Sequence, residues 1–194
     1  VIVVFALGTS WLLWQNSQIA AADAASDIYE EILTLAVAEP GTEVSAENGA
    51  QILDLGNQLR ADHSGTVYAL FGSLFSAQQQ VRTDDLAAAE ESLQWILDNQ
   101  KDGMFDKTDE GLILTASLRL GRVILAQGDA ERALSLINNL DPKTFEPGFA
   151  ELRGDVYLAM GRLVDAREAY QAAQQAGSNS GGLRMKLDDL SAES

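Results

Sequence analysis

Apolar and polar positions alternate along this chain with a helical period over most of its length. Three stripes stand out: Leu86, Ala89, Leu93, Ile96; Ala130, Ala133, Ile137, Leu140; and Leu163, Ala166, Tyr170, Ala173. Each advances by 3, 4 and 3 residues, the spacing that lines up one face of an α-helix. Two further faces lie upstream, Ile28, Ile32, Leu35, Ala36 and Ile52, Leu55, Gly56, Leu59, separated by a loop carrying Pro40 and Gly41. Helix formers dominate and only three prolines occur, Pro40, Pro142 and Pro147, so the fold class read from the pattern is all-α.

The stripes belong to a repeat. Gly121, Gly128 and Ala133 recur as Gly154, Gly161 and Ala166, each 33 residues on. This is close to the period of about 34 of a tetratricopeptide repeat, a pair of helices joined by a short turn. Gly128 and Gly161 suit the left-handed residue that ends a first helix, and Asp129 suits the N-cap of the second. Small residues at Gly121 and Gly154, matched by Ala133 and Ala166, let the two helices of a pair approach closely. A weaker copy lies upstream, where Ala77 and Ala89 keep the 12-residue offset and Asp84 replaces the turn glycine. Between it and the next copy the period stretches to 44, with the polar stretch 98–111 holding the extra length as a loop. Pro142 ends one helix, and Pro147 falls in the first turn of the next. The expected organisation is an α-solenoid over residues 19–194, with helix pairs at about 20–62, 66–98, 112–141 and 147–176 and a capping helix at 183–190 after the GSNSGG linker. Tyr157 and Tyr170 take aromatic positions of the repeat and read as packing residues.

The run VIVVFALGTSWLLW that opens the sequence carries no charge and ends in paired tryptophans. A bilayer span takes about 20 apolar residues, and tryptophan favours the membrane interface. Residues 1–18 therefore read best as part of a transmembrane helix, truncated here because the sequence starts at Val1. A signal peptide cleaved near Ala20 to Ala22 and a buried core helix are the alternatives. The first basic residue after the run is Arg60, so the positive-inside rule sends the large C-terminal part out of the cytoplasm.

Charge narrows the partners. The formal net charge is −16, which repels a phosphate backbone and argues against nucleic acid, while favouring a partner with a basic patch. With no cysteine there is no disulfide, thiolate metal site or cysteine nucleophile. His63, the one histidine, reads as a lone surface residue, and the stretch 106–111 lacks the glutamate that would close an EF-hand loop, its place being taken by Ser117. Neither Glu90–Glu91 nor Asp188–Asp189 makes an acid/base pair, because neighbours on a helix point apart. The sequence offers no catalytic, cofactor-binding or metal-binding residue, and a hydrolase would need a site not visible in it.

Taken together, the segments VFALGTSWLLWQNSQ, TVYALFGSLFSAQQQV, LRLGRV, ELRGDVYLAMGRLVDAREAY and MKLDDL resemble the YfgM family, the ancillary subunit of the bacterial Sec translocon. The resemblance covers nearly the whole chain; the loop 98–111 is longer than the family pattern. It implies a single-pass inner-membrane protein with a periplasmic C-terminal domain. The implied partners are the SecYEG translocon, a membrane-anchored periplasmic chaperone of the PpiD type and newly exported polypeptides in transit between them. By analogy with tetratricopeptide repeats, the protein-binding groove would map to Phe71, Leu74, Gln78, Leu118, Arg122, Glu151 and Asp155; Phe71, Leu74 and Leu118 are also readable as plain core. The competing expectation is an envelope scaffold for another assembly complex, of outer-membrane or cytochrome biogenesis.

Overall fold

The computed structural model describes residues 20–37, 43–103 and 107–192. The proposed membrane anchor, residues 1–18, lies outside them, and among the described residues no helix is long and apolar enough to cross a membrane. The described residues are helical apart from turns, loops and one isolated antiparallel bridge. They divide after Thr83 into two compact units, a division that falls inside the helix pair expected at 66–98.

The first unit contains α1 (residues 20–36), α2 (Ala46–Asp62) and α3 (Val67–Arg82). Ser45 and Thr66 start α2 and α3 by accepting from the backbone N–H of Asn48 and Ala69, satisfying donors that a helix start leaves without partners. Ile32, Ile52 and Leu59, from the two upstream faces, are fully buried. The close approach of α2 to α3 depends on two glycines. A methyl group on Gly72 would come within 2.7 Å of Leu59 Cδ1, and one on Gly56 would run into the Ser76 hydroxyl and the Gly72 carbonyl. His63 is half-buried, not on the surface: its N–H closes α2 on the Leu59 carbonyl, and its own carbonyl accepts from both the backbone and the hydroxyl of Thr66.

The second unit runs α4 (Leu86–Asp98), α5 (Glu110–Ala126), α6 (Ala130–Asn138), α7 (Glu146–Ala159), α8 (Leu163–Gln175) and α9 (Gly181–Ala192). Each helix packs on the next, and α5 also touches α7, the first helix of the following pair. This nearest-neighbour stacking is the energetic hallmark of a solenoid. The expected stripes form its interior: Ala89, Leu93, Ile96, Ala133, Ile137, Ala166, Tyr170 and Ala173 are all buried. Leu86, Ala130 and Leu140, at the ends of their stripes, are half-buried, and Leu163 is 41% exposed because it begins α8 at the turn.

The inter-helix turns repeat one geometry. Gly128 and Gly161 have φ of +89° and +71°, and Asp84 takes φ +60° at the corresponding place. Backbone bonds from Gly128 to Leu125 and from Asp129 to Ile124 recur as Gly161 to Leu158 and Arg162 to Tyr157, the pattern of a Schellman stop. Asp129 caps α6 through Arg132 N–H, and Asp85 and Asp109 do the same for α4 and α5. Pro147 falls in the first turn of α7 as expected.

Three boundaries differ from the sequence reading, the first being the capping helix, which spans Gly181–Ala192 and takes in both glycines of the expected linker. Helix α6 stops at Asn138, so Leu140 lies beyond it; the Asn139 side chain bonds back to the Ser135 carbonyl and ends the helix before Pro142 is reached. The described part of the extra length between copies is also more structured than a polar loop. Asp102 and Lys107 form the isolated bridge, Thr108 bonds Lys101 through both its N–H and its hydroxyl oxygen, and α5 starts at Glu110.

Candidate functional site

The residues expected to line a groove fall in different settings. In the first unit, Leu74 is buried and serves packing. Phe71 is half-buried, its ring 5.7 Å from that of Tyr29, which also meets Tyr68 and Phe75; α1 and α3 are joined by this aromatic cluster. Gln78 is exposed.

In the second unit, Leu118 on α5 is half-buried against the start of α7, where a methyl on Gly148 would come within 2.9 Å of Leu118 Cδ2. Arg122, one turn on, is exposed. Glu151 and Asp155 lie one turn apart on α7 and are half-buried. Both are engaged. Lys186 Nζ, from α9, sits 2.6 Å from Asp155 Oδ1 and 3.1 Å from Glu151 Oε1, and the Ser178 hydroxyl lies 3.5 Å from Glu151 Oε2. The Tyr170 hydroxyl donates to Asp155 Oδ1 at 2.7 Å.

These contacts shift proton equilibria. Burial pushes the Tyr170 phenol well above its ordinary value, reinforced by the hydrogen bond to Asp155 and by the nearby negative charges. At Lys186 burial opposes the charge, but the hydrogen bonds and charges of Asp155 and Glu151 outweigh it and hold the ammonium above its ordinary value. The α7 carboxylates thus bind a cation and a phenol, a binding arrangement rather than an acid/base dyad.

Gly154 makes room for this arrangement. A side chain there would collide with the Tyr170 ring, so the smallness of Gly154 serves Tyr170 rather than Ala166. Gly121 differs again: its added methyl would come within 2.8 Å of Leu152 Cδ2 on α7 and 3.4 Å of Ile137 Cγ2 on α6, so it admits the next pair as well as its own partner helix. Sequence reasoning left out Lys186 and took Tyr170 only as packing. A signal for Lys186 was present: it stands three residues after Leu183 and four before Leu190 in a short helix whose apolar face it interrupts.

The family of tetratricopeptide repeat-like domains matches residues 1–192. An ancillary SecYEG translocon subunit from Haemophilus influenzae is 30% identical over 196 residues, which cover 98% of this chain and 88% of the relative. The chain belongs to the ancillary SecYEG translocon subunit family. A member from Escherichia coli is 30% identical over 186 residues, covering 93% of this chain and 81% of its own length. One from Neisseria gonorrhoeae is 30% identical over 155 residues, with 78% and 67% covered. No solved structure matches. The resemblance drawn from the repeat and tail segments therefore holds, and the family's tetratricopeptide character agrees with the serial helix stacking of the second unit.

Proposed function

We propose that this chain is a non-enzymatic, protein-binding adaptor of the Sec translocon, held at the bacterial inner membrane by residues 1–18 with its helical domain in the periplasm. The observation that carries the reading is the 30% identity to an ancillary SecYEG translocon subunit across 98% of the chain. Such an adaptor needs no chemistry. It needs a surface that grips a polypeptide, and stacked helix pairs supply one along their first helices. On this reading Leu118 offers apolar contact and Arg122 a charge in the second unit, whereas Glu151 and Asp155, held by Lys186, join them only where α9 gives way. Within the first unit, taken by itself, Phe71 and Gln78 are the proposed contact residues, with Leu74 packed beneath them. The partners are the SecYEG channel, a membrane-anchored periplasmic chaperone of the PpiD type and newly exported chains passed between them.

The test is affinity purification of the full-length protein from detergent-solubilised membranes. Recovery of channel and chaperone subunits is the expected result, diminished by Leu118→Asp or Arg122→Glu. A partner list holding outer-membrane or cytochrome assembly components and no channel subunit would overturn the proposal in favour of an envelope scaffold.

A further inference from the structure

Helix α9 is attached to α8 by the short segment 177–180, which begins where Gly177, at φ +108°, ends α8. Ser180 restarts the chain as a helix by accepting from Leu183 N–H. Leu183 and Leu190 are then buried in one cluster with Ala150, Ala166, Tyr170 and Ala173, and Leu187 packs against its margin. Between them, Lys186 reaches Glu151 and Asp155 and lies 5.5 Å from the centre of the Tyr170 ring. Arg167 of α8 donates to the Leu190 carbonyl, one of the last four that a helix leaves unbonded. The opposite side of α9, with Arg184, Met185, Asp188 and Asp189, is exposed.

We propose that the α7–α8 face is a docking site for an amphipathic helix carrying a lysine among leucines, and that α9 is its resident, displaceable occupant. Every contact α9 makes is one that another helix could supply. Leu183, Lys186, Leu187 and Leu190 stand at i, i+3, i+4 and i+7, the anchor spacing of a helix laid in a groove. Arg167 recognises a helix C-terminus through its backbone, whatever the side chains. The two α7 carboxylates demand a cation, so the face selects against apolar helices that lack one and against acidic ones. A chain of net charge −16 that places Lys186 against both carboxylates satisfies that demand internally.

Displacement is favoured by the shortness of α9. Its 12 residues are at the length where an isolated helix in water is marginal, so its order depends on docking. A tethered helix competes at an effective concentration on the order of millimolar, which sets the affinity an incoming helix has to exceed. A partner with the same anchors and one more apolar or basic contact meets that requirement. The surface is defined by contacts within this chain and does not depend on association with the Sec channel.

The test uses the full chain with Leu183→Asp and Leu190→Asp, which release α9 from within, and a fluorescein-labelled peptide with the sequence of residues 181–192. Fluorescence anisotropy should show saturable binding to this opened chain. Lys186→Glu in the peptide, or Glu151→Gln with Asp155→Asn in the opened chain, should weaken it by roughly tenfold or more. The unaltered chain should bind the peptide more weakly than the opened one. No binding to an opened chain that keeps its helical circular dichroism and cooperative melt overturns the proposal. Analytical ultracentrifugation showing that the unaltered chain dimerises by exchanging α9 overturns it too, in favour of a second copy as occupant. Should the two substitutions unfold the chain, amide hydrogen exchange in the unaltered protein decides. Exchange in α9 roughly tenfold or more faster than in α7 and α8 supports the proposal, and exchange at one common rate rejects it.

Discussion

Tyr170 and Asp155 are joined across the α7–α8 hairpin by a 2.7 Å hydrogen bond, although the ring that carries the hydroxyl is fully buried. A buried phenol needs a partner, and here the partner is a carboxylate that also binds Lys186. Tyr170→Phe keeps the packing and removes only the donor. Because the acceptor is charged, the expected loss is about 1.5–3 kcal/mol in urea unfolding. An unchanged midpoint would mean that water replaces the phenol without cost.

Gly154 is the other half of that packing. Gly154→Ala places a methyl group in the Tyr170 ring, and overpacking of this kind costs about 1–3 kcal/mol. Combining it with Tyr170→Leu should recover part of the loss, giving a non-additive double-mutant cycle in thermal melts. Simple additivity would show that the two residues do not interact.

The turn residues give an internal comparison. Gly128→Ala and Gly161→Ala keep open space around the new methyl but force it into the left-handed region, at about 1–2 kcal/mol each. Asp84 already takes that conformation with a side chain, so Asp84→Gly should fall within about 1 kcal/mol of the parent. Equal losses at all three positions in chemical denaturation would count against the shared turn geometry.

In the first unit, Gly56→Leu should separate α2 from α3. The added side chain meets Ser76 and the Gly72 carbonyl, and backbone cannot rotate away as a side chain can. A loss of about 3 kcal/mol or more is expected, read as protection lost from amides of α2 and α3 in hydrogen exchange.

Alkaline pH should release α9. Lys186 and Tyr170 both titrate above their ordinary values in the folded chain. The folded state therefore holds more protons than the unfolded state once pH passes about 10, and stability falls as pH rises further. Below that point both groups keep their protons in either state and their contribution is fully present. Thermal melts between pH 8 and about pH 11 should show this decline. Lys186→Met should flatten the part due to Lys186, and an equally steep decline in that variant would remove its role.

Much of the architecture was legible in the sequence because it is encoded locally. The 3, 4, 3 stripes, the glycines after α5 and α7 and the cap at Asp129 are each set by residues within a single helix or turn, and the 33-residue recurrence repeats those local signals. Backbone sterics and helix periodicity then leave little choice of element or register. Tertiary structure alone decided which surfaces meet. Gly154 faces Tyr170, Gly121 faces Leu152, and Gly56 crosses Gly72, although spacing alone marks each glycine only as small. Glu151 and Asp155 read as groove residues and are engaged by Lys186, 35 and 31 residues away in the chain. Periodicity tells which face of a helix avoids water, but the partner of a half-buried charge is chosen by how distant segments pack, and no local pattern carries that choice.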